Sequence, residues 1–254
     1  MIKDIGAACQ RSFLAFTAAC MLAACSGGKG DAINVTADDD AVVGVWAGTL
    51  TPDDPGQLPL AGWLTVAQNG TFHLDTDAAL FTGTAQARGR ELSATTTGHP
   101  YSSDLSEGTA FTFNGTVTDA ALTGNWSGGG RGGRMRFEHE NSVSRQAASL
   151  DAVASTYEGE LWIGNATLPA SIAIATDGSF TTSTAGGCTA TGKVDIADAA
   201  RNRYQWTATL SGCATDGTAS GSGFMIGNSS VYLSGTLPQV AVWMGGVDAD
   251  APGR

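Results

Sequence analysis

Five cysteines, three histidines and one arginine-rich stretch are the residues of this 254-residue chain whose types and spacing could do chemistry. Cys188 and Cys213 stand alone in the second half. They are too far apart for a Cys-x-x-Cys redox site, and no histidine lies near them to complete a zinc site, so they read as a structural disulfide. Closing that loop is worth about 3–4 kcal/mol by chain entropy. His73, His99 and His139 form no His-x-x-x-His or comparable pair, and no metal or cofactor is assigned. Alternation places His73 and Asp75 opposite Phe72 and Leu74, which predicts that both face solvent. No Gly-x-Ser-x-Gly elbow occurs, and the carboxylate pairs Asp53-Asp54 and Asp248 with Asp250 fall in apparent loops, so no residue is assigned a catalytic role.

The run from Ser127 to Arg134 holds five glycines and two arginines. A phosphate cradle needs a strand before it and a helix after it, whereas here a strand pattern follows, from Arg134 to His139. The run therefore reads as a mobile hairpin tip. Arg131, Arg134 and Arg136 are the one basic cluster in a chain of net charge −11, and they are the candidate site for an acidic partner or a ligand carboxylate.

The N-terminus carries an address. Lys3 and Arg11 precede an apolar run that ends in Leu22-Ala23-Ala24-Cys25, followed by Ser-Gly-Gly. Residues 1–24 read as a secretory signal peptide, and their ending resembles the lipobox of bacterial lipoproteins. The resemblance implies cleavage before Cys25, diacylation of Cys25 and anchoring by lipid. Ser26 in place of aspartate implies, by the same analogy, an outer-membrane destination facing the periplasm, with surface exposure left open. Cys9 and Cys20 leave with the signal. The acidic balance argues against nucleic acid and against anionic headgroups, so attachment to the membrane must come from the lipid.

Those sites need elements to position them. Residues 25–43, with Asp38-Asp39-Asp40, are too polar to bury surface and read as a disordered tether. From residue 44 the pattern is β. Tyr204, Trp206, Ala208 and Leu210 alternate with Arg203, Gln205, Thr207 and Thr209, as a half-buried strand requires. Asn69-Gly70 and Asp177-Gly178 predict two-residue hairpin turns. An internal repeat runs through the chain. Trp46-Ala47-Gly48-Thr49-Leu50 matches Tyr157-Glu158-Gly159-Glu160-Leu161, Asn69-Gly70-Thr71-Phe72 matches Asp177-Gly178-Ser179-Phe180, and three further matches follow in order. Trp46 and Tyr157 are expected to face inward, and Gly48 and Gly159 to permit a sharp bend in each first strand. The segment from Thr218 to Gly223 carries little bulk, so either large neighbours fill the space or that half holds a cavity. Cys188 and Cys213 are equidistant from a turn at Ala200-Arg201, but they share a face only if a bulge shifts the register.

The expected fold is all-β: two tandem eight-stranded antiparallel up-and-down β-barrels, with two β-sandwiches as the alternative. The first spans residues 44–140, a connector with one helical turn 141–154, the second 155–246, and a disordered tail 247–254. On the lipobox, strand count and glycine-rich hairpins, residues 44–246 resemble lipocalin-like and transferrin-binding-protein-type barrel lipoproteins. No family-specific binding motif accompanies the resemblance, so it transfers no site residue. The function this implies is a non-catalytic, lipid-anchored envelope module that recognises a protein or a small ligand, an inhibitor or immunity-type protein among them. A structural envelope lipoprotein without a discrete ligand is the alternative, and an envelope hydrolase stands third.

Overall fold

The computed structural model describes residues 41–101, 108–119, 121–238 and 240–250. The signal segment, Cys25 and most of the tether lie outside the described residues, as do the last four positions. The first half contributes β1 (Gly44–Pro52), β2 (Leu60–Val66), β3 (Thr71–Thr76), β4 (Ala79–Arg88), β5 (Glu91–Pro100), β6 (Thr109–Thr118), β7 (Ala121–Gly128) and β8 (Arg131–His139). Two short helical turns follow, α1 (Asn141–Ser144) and α2 (Leu150–Val153). The second half adds β9 (Ser155–Ile163), β10 (Ala166–Ile174), β11 (Ser179–Thr184), β12 (Thr189–Asp198), β13 (Arg203–Ser211), β14 (Gly217–Ile226), β15 (Ser230–Leu237) and β16 (Val240–Asp248). Within each half every strand pairs antiparallel with its sequence neighbour. The β1–β8 and β9–β16 pairings then close two separate barrels. Closure leaves neither sheet an unpaired edge, which a sandwich would expose.

Alternation fills both interiors. The first barrel points Trp46, Phe72, Phe81, Phe111, Phe113 and Trp126 inward, each at most 2 % exposed. Phe81 packs edge-on against Phe111 and Phe113, with centroids 5.0 and 5.5 Å apart. The second barrel buries Tyr157, Phe180, Tyr204 and Trp206 in a core to which all eight of its strands contribute, β11 through Phe180 alone and the other seven with aliphatic residues. Trp206 resolves the question raised by the slender β14 strand. Its Nε1 donates to the carbonyls of Ser222 and Ser234, both at 3.2 Å, and a Cβ at Gly235 would lie 2.7 Å from its ring. A large neighbour, not a cavity, occupies that space. Gly48 and Gly159 serve close strand approach: a Cβ would stand 2.1 Å from the Arg136 carbonyl oxygen at Gly48 and 2.0 Å from that of Gly245 at Gly159.

The chain leading into each barrel is fastened in the same way. Trp46 Nε1 donates to the Val42 carbonyl at 3.0 Å, and the Tyr157 hydroxyl donates to the Val153 carbonyl at 2.8 Å. Val42 and Val153 are both fully buried against their cores. Order therefore begins inside the segment read as tether, because an apolar side chain under the first-strand aromatic closes the end of the barrel. In the second barrel α2 supplies this stopper, capped by Ser149 Oγ, which accepts from Ala152 N–H at 3.0 Å. At the other terminus β16 runs to Asp248, two residues into the predicted tail.

The hairpins at Asn69-Gly70 and Asp177-Gly178 are three-residue loops, not two-residue ones. Ala67 N–H donates to the Thr71 carbonyl and Gly70 N–H to the Ala67 carbonyl, and Ala175, Ser179 and Gly178 repeat the pattern. Only the glycine in each has positive φ, at 80° and 83°, as in a type I turn closed by a left-handed residue. Cys188 and Cys213 sulfurs lie 2.02 Å apart. The bulge that a shared face required is not what joins them: β12 and β13 do shift register between Ile196 and Asp198, but next to the turn, and the ladder from Thr189↔Ser211 to Ile196↔Tyr204 is unbroken. Cys213 lies just past the end of β13, after Gly212 at φ 68°.

Candidate functional site

The glycine-rich run is a hairpin tip only at its middle; the rest of it is paired strand. β7 continues to Gly128 and β8 resumes at Arg131, leaving only Gly129-Gly130 as the turn, with φ of 62° and 71°. Two consecutive positive φ values suit a tight hairpin turn. The neighbouring glycines belong to the strands, and bulky rings crowd them: a Cβ would meet the Phe111 ring at 2.4 Å from Gly128 and Trp126 Nε1 at 2.8 Å from Gly133.

This geometry separates the three arginines. Arg131 Nη1 donates to Gln57 Oε1 at 3.2 Å, in the loop between β1 and β2. There the Asp54 carboxylate accepts from Gly56 N–H and from Gln57 Nε2. Those two bonds, with the Arg131 charge, hold that carboxyl below its ordinary range. Arg134 and Arg136, two residues apart on β8, both point out from the barrel, with side chains about 7 Å apart along the strand. Arg136 pairs with Glu138, and both side chains are more than half exposed.

Lateral register brings in residues that the linear reading did not single out. One outward row crosses five strands as Gln86, Ser93, Asn114, Asn125 and Arg134. The next row crosses them as Arg88, Glu91, Thr116, Thr123 and Arg136. Ser93 Oγ donates to Asn114 Oδ1 at 3.0 Å. Over β4–β7 the sheet is dished into an open depression of about 560 Å³, lined by the amides and hydroxyls of these rows together with Arg88 and the Glu91 carboxylate, and Arg134 and Arg136 stand on the neighbouring strand beside it. Residues 41–140 hold five cations, Arg88, Arg90, Arg131, Arg134 and Arg136. Four of them stand at the margins of this face, with Arg90 in the β4–β5 turn. No local signal marks Asn114 or Asn125, which are adjacent only across strands. The second barrel carries an outer depression of about 610 Å³ over β9–β12, lined by Thr156, Thr181 and Thr191 among others.

The remaining candidates resolve simply. Asp75 and His73 do point away from the core, but Asp75 is only 4 % exposed and His73 is half-buried, which corrects the expected solvent position. Alternation assigns a face and not an exposure; Leu80 and His99, in the same outward row as Asp75, are buried too. His139 packs edge-on against Trp46, with centroids 4.6 Å apart. Among the described residues no group of three or more His, Cys, Asp or Glu side chains is placed to hold a metal ion. Asp53 and Asp54 are exposed in the β1–β2 loop, and Asp248 ends β16 beside Tyr157. Burial, then the charge of Asp248, pushes the Tyr157 phenol well above its ordinary range. Comparison of the chain with protein families, curated proteins and solved structures finds no match.

Proposed function

We propose that this chain is a lipid-anchored, non-catalytic binding module of the bacterial cell envelope, held at the outer membrane through Cys25 and recognising its ligand or protein partner on the outside of a barrel. The observation that carries the reading is the packing of both interiors. Trp46, Phe113 and Trp126 fill one and Tyr157, Tyr204 and Trp206 the other, all at most 2 % exposed. Lipocalin-like barrels that hold a small molecule need an open interior. Here recognition falls to outward side chains and loops. The lipobox-like ending at Leu22-Ala23-Ala24-Cys25 supports the anchor, and the acidic chain needs it, because electrostatics alone would repel anionic headgroups.

Two measurements test the module reading. Fractionation of cells expressing the full chain places it with membranes, and Cys25→Ser moves it to the soluble envelope fraction; a variant that stays membrane-bound refutes the anchor. Capture from envelope extracts by the full chain in detergent yields a saturable partner. Capture of nothing above a bead control favours a structural envelope lipoprotein instead.

A further inference from the structure

We propose that the outer face dished over β4–β7 and flanked by β8 is a binding site for an acidic carbohydrate chain, with its hydroxyls on the amide row and its carboxylates on the flanking arginines. This deepens the binding-module reading and rests on it.

The chemistry of the lining selects the ligand. Asn114 and Asn125 are cross-strand partners on adjacent strands, both exposed, at the centre of the depression. A planar amide offers a donor pair and an acceptor side by side, which is what vicinal sugar hydroxyls present in return. Ser93 already donates to Asn114 Oδ1 and so orients that amide, leaving its two N–H donors outside that bond. Thr116 and Thr123 extend the polar floor by one row. At the margins Arg88 and Arg136 share a row four strand spacings apart, about 19 Å around the sheet. That span suits carboxylates on an extended chain and not a single small anion. Arginine is the residue suited to bidentate carboxylate recognition.

An acidic protein partner fits this face less well. Protein interfaces draw their energy from buried aromatic or aliphatic anchors. Among the described residues the large exposed hydrophobics are Leu58 and Ile196, and neither lines the depression. A neutral glycan would leave the arginines unused. In a chain of net charge −11 this face carries four arginines against two carboxylates, Glu91 in the lining and Glu138 paired with Arg136, and that local excess of positive charge favours a polyanion.

The test titrates the full chain, in detergent micelles, with a defined-length oligogalacturonate, a neutral dextran oligosaccharide and poly-glutamate, read by isothermal calorimetry. The oligogalacturonate binds saturably and the dextran does not. Arg134→Gln with Arg136→Gln weakens it by about tenfold or more, the loss of charge-assisted hydrogen bonds. Asn114→Ala with Asn125→Ala weakens oligogalacturonate to a similar degree while leaving any poly-glutamate binding unchanged. All four side chains point to solvent, and unchanged melting curves verify that the variants fold. Poly-glutamate binding as tight as oligogalacturonate, or indifference to the two asparagines, overturns the proposal in favour of acidic-peptide docking. No saturable oligogalacturonate binding overturns it outright. If envelope extracts still yield a partner in that case, the module reading stands and only the ligand assignment falls.

Discussion

Reducing the Cys188–Cys213 bond should unfold the second barrel first. The bond closes a separation of 25 residues, and chain entropy over such a loop is worth about 3.5 kcal/mol at 25 °C. Little of this is returned by relaxation of the native state. Cys188 is 3 % exposed within the core cluster, and the hairpin it straddles is held by nine register pairs between β12 and β13. For a domain of this size each kcal/mol shifts the melting temperature by about 4–8 °C, so the loss should lower the barrel's melting by about 15 °C or more. The assay is calorimetry of the full chain with and without dithiothreitol, alongside Cys188→Ala with Cys213→Ser. Residues 41–140 contain no cysteine, so the transition of the first barrel serves as the internal reference. A shift below about 3 °C refutes the loop-entropy reasoning, because it means that the hairpin persists in the unfolded chain. Equal shifts in both transitions refute the assignment of the bond's effect to one barrel.

The glycines make a sharper contrast. Gly124→Ala should destabilise the first barrel by about 3 kcal/mol or more, since its Cβ would stand 2.0 Å from the Asn114 carbonyl oxygen. Gly89→Ala, at φ 63° with nothing within 4 Å, should cost only about 1 kcal/mol; urea melts of the two variants compare them directly. At alkaline pH the second barrel should weaken. Burial raises the phenols of Tyr157 and Tyr204 in the folded state, so they keep their protons where the unfolded chain loses them. Stability is then full below about pH 10 and falls as pH climbs beyond it. Melting followed from about pH 9 upward should show that decline in the wild type and a shallower one in Tyr157→Phe; parallel curves would contradict the burial argument.

Strand parity, the duplication and most turn positions are legible in the linear chain, because each depends on residues close in sequence. Period-2 spacing places Trp46 and Tyr157 inward and Arg134 and Arg136 outward, as the barrels have them. A glycine run without apolar residues, by contrast, looks like loop whether or not it is paired. Gly128 and Gly133 are strand residues through their ladder pairs with Phe111 and Trp126, whose rings leave no room for a side chain there. The fully buried Val42 shows the same limit at the edge of the tether, since its place depends on a ring four residues later.

What the amino-acid order determined by itself is therefore the list of strands, their two faces and the pairing of one half's features with the other's. The tertiary structure alone decided that the interiors are filled, that Asp75 is covered, and that Asn114, Asn125 and Arg134 share one row. The physical reason is that alternation is a property of one strand. Which residues become neighbours across strands depends on how the ladder slides before it closes, and that choice is made by the packing of all eight strands at once.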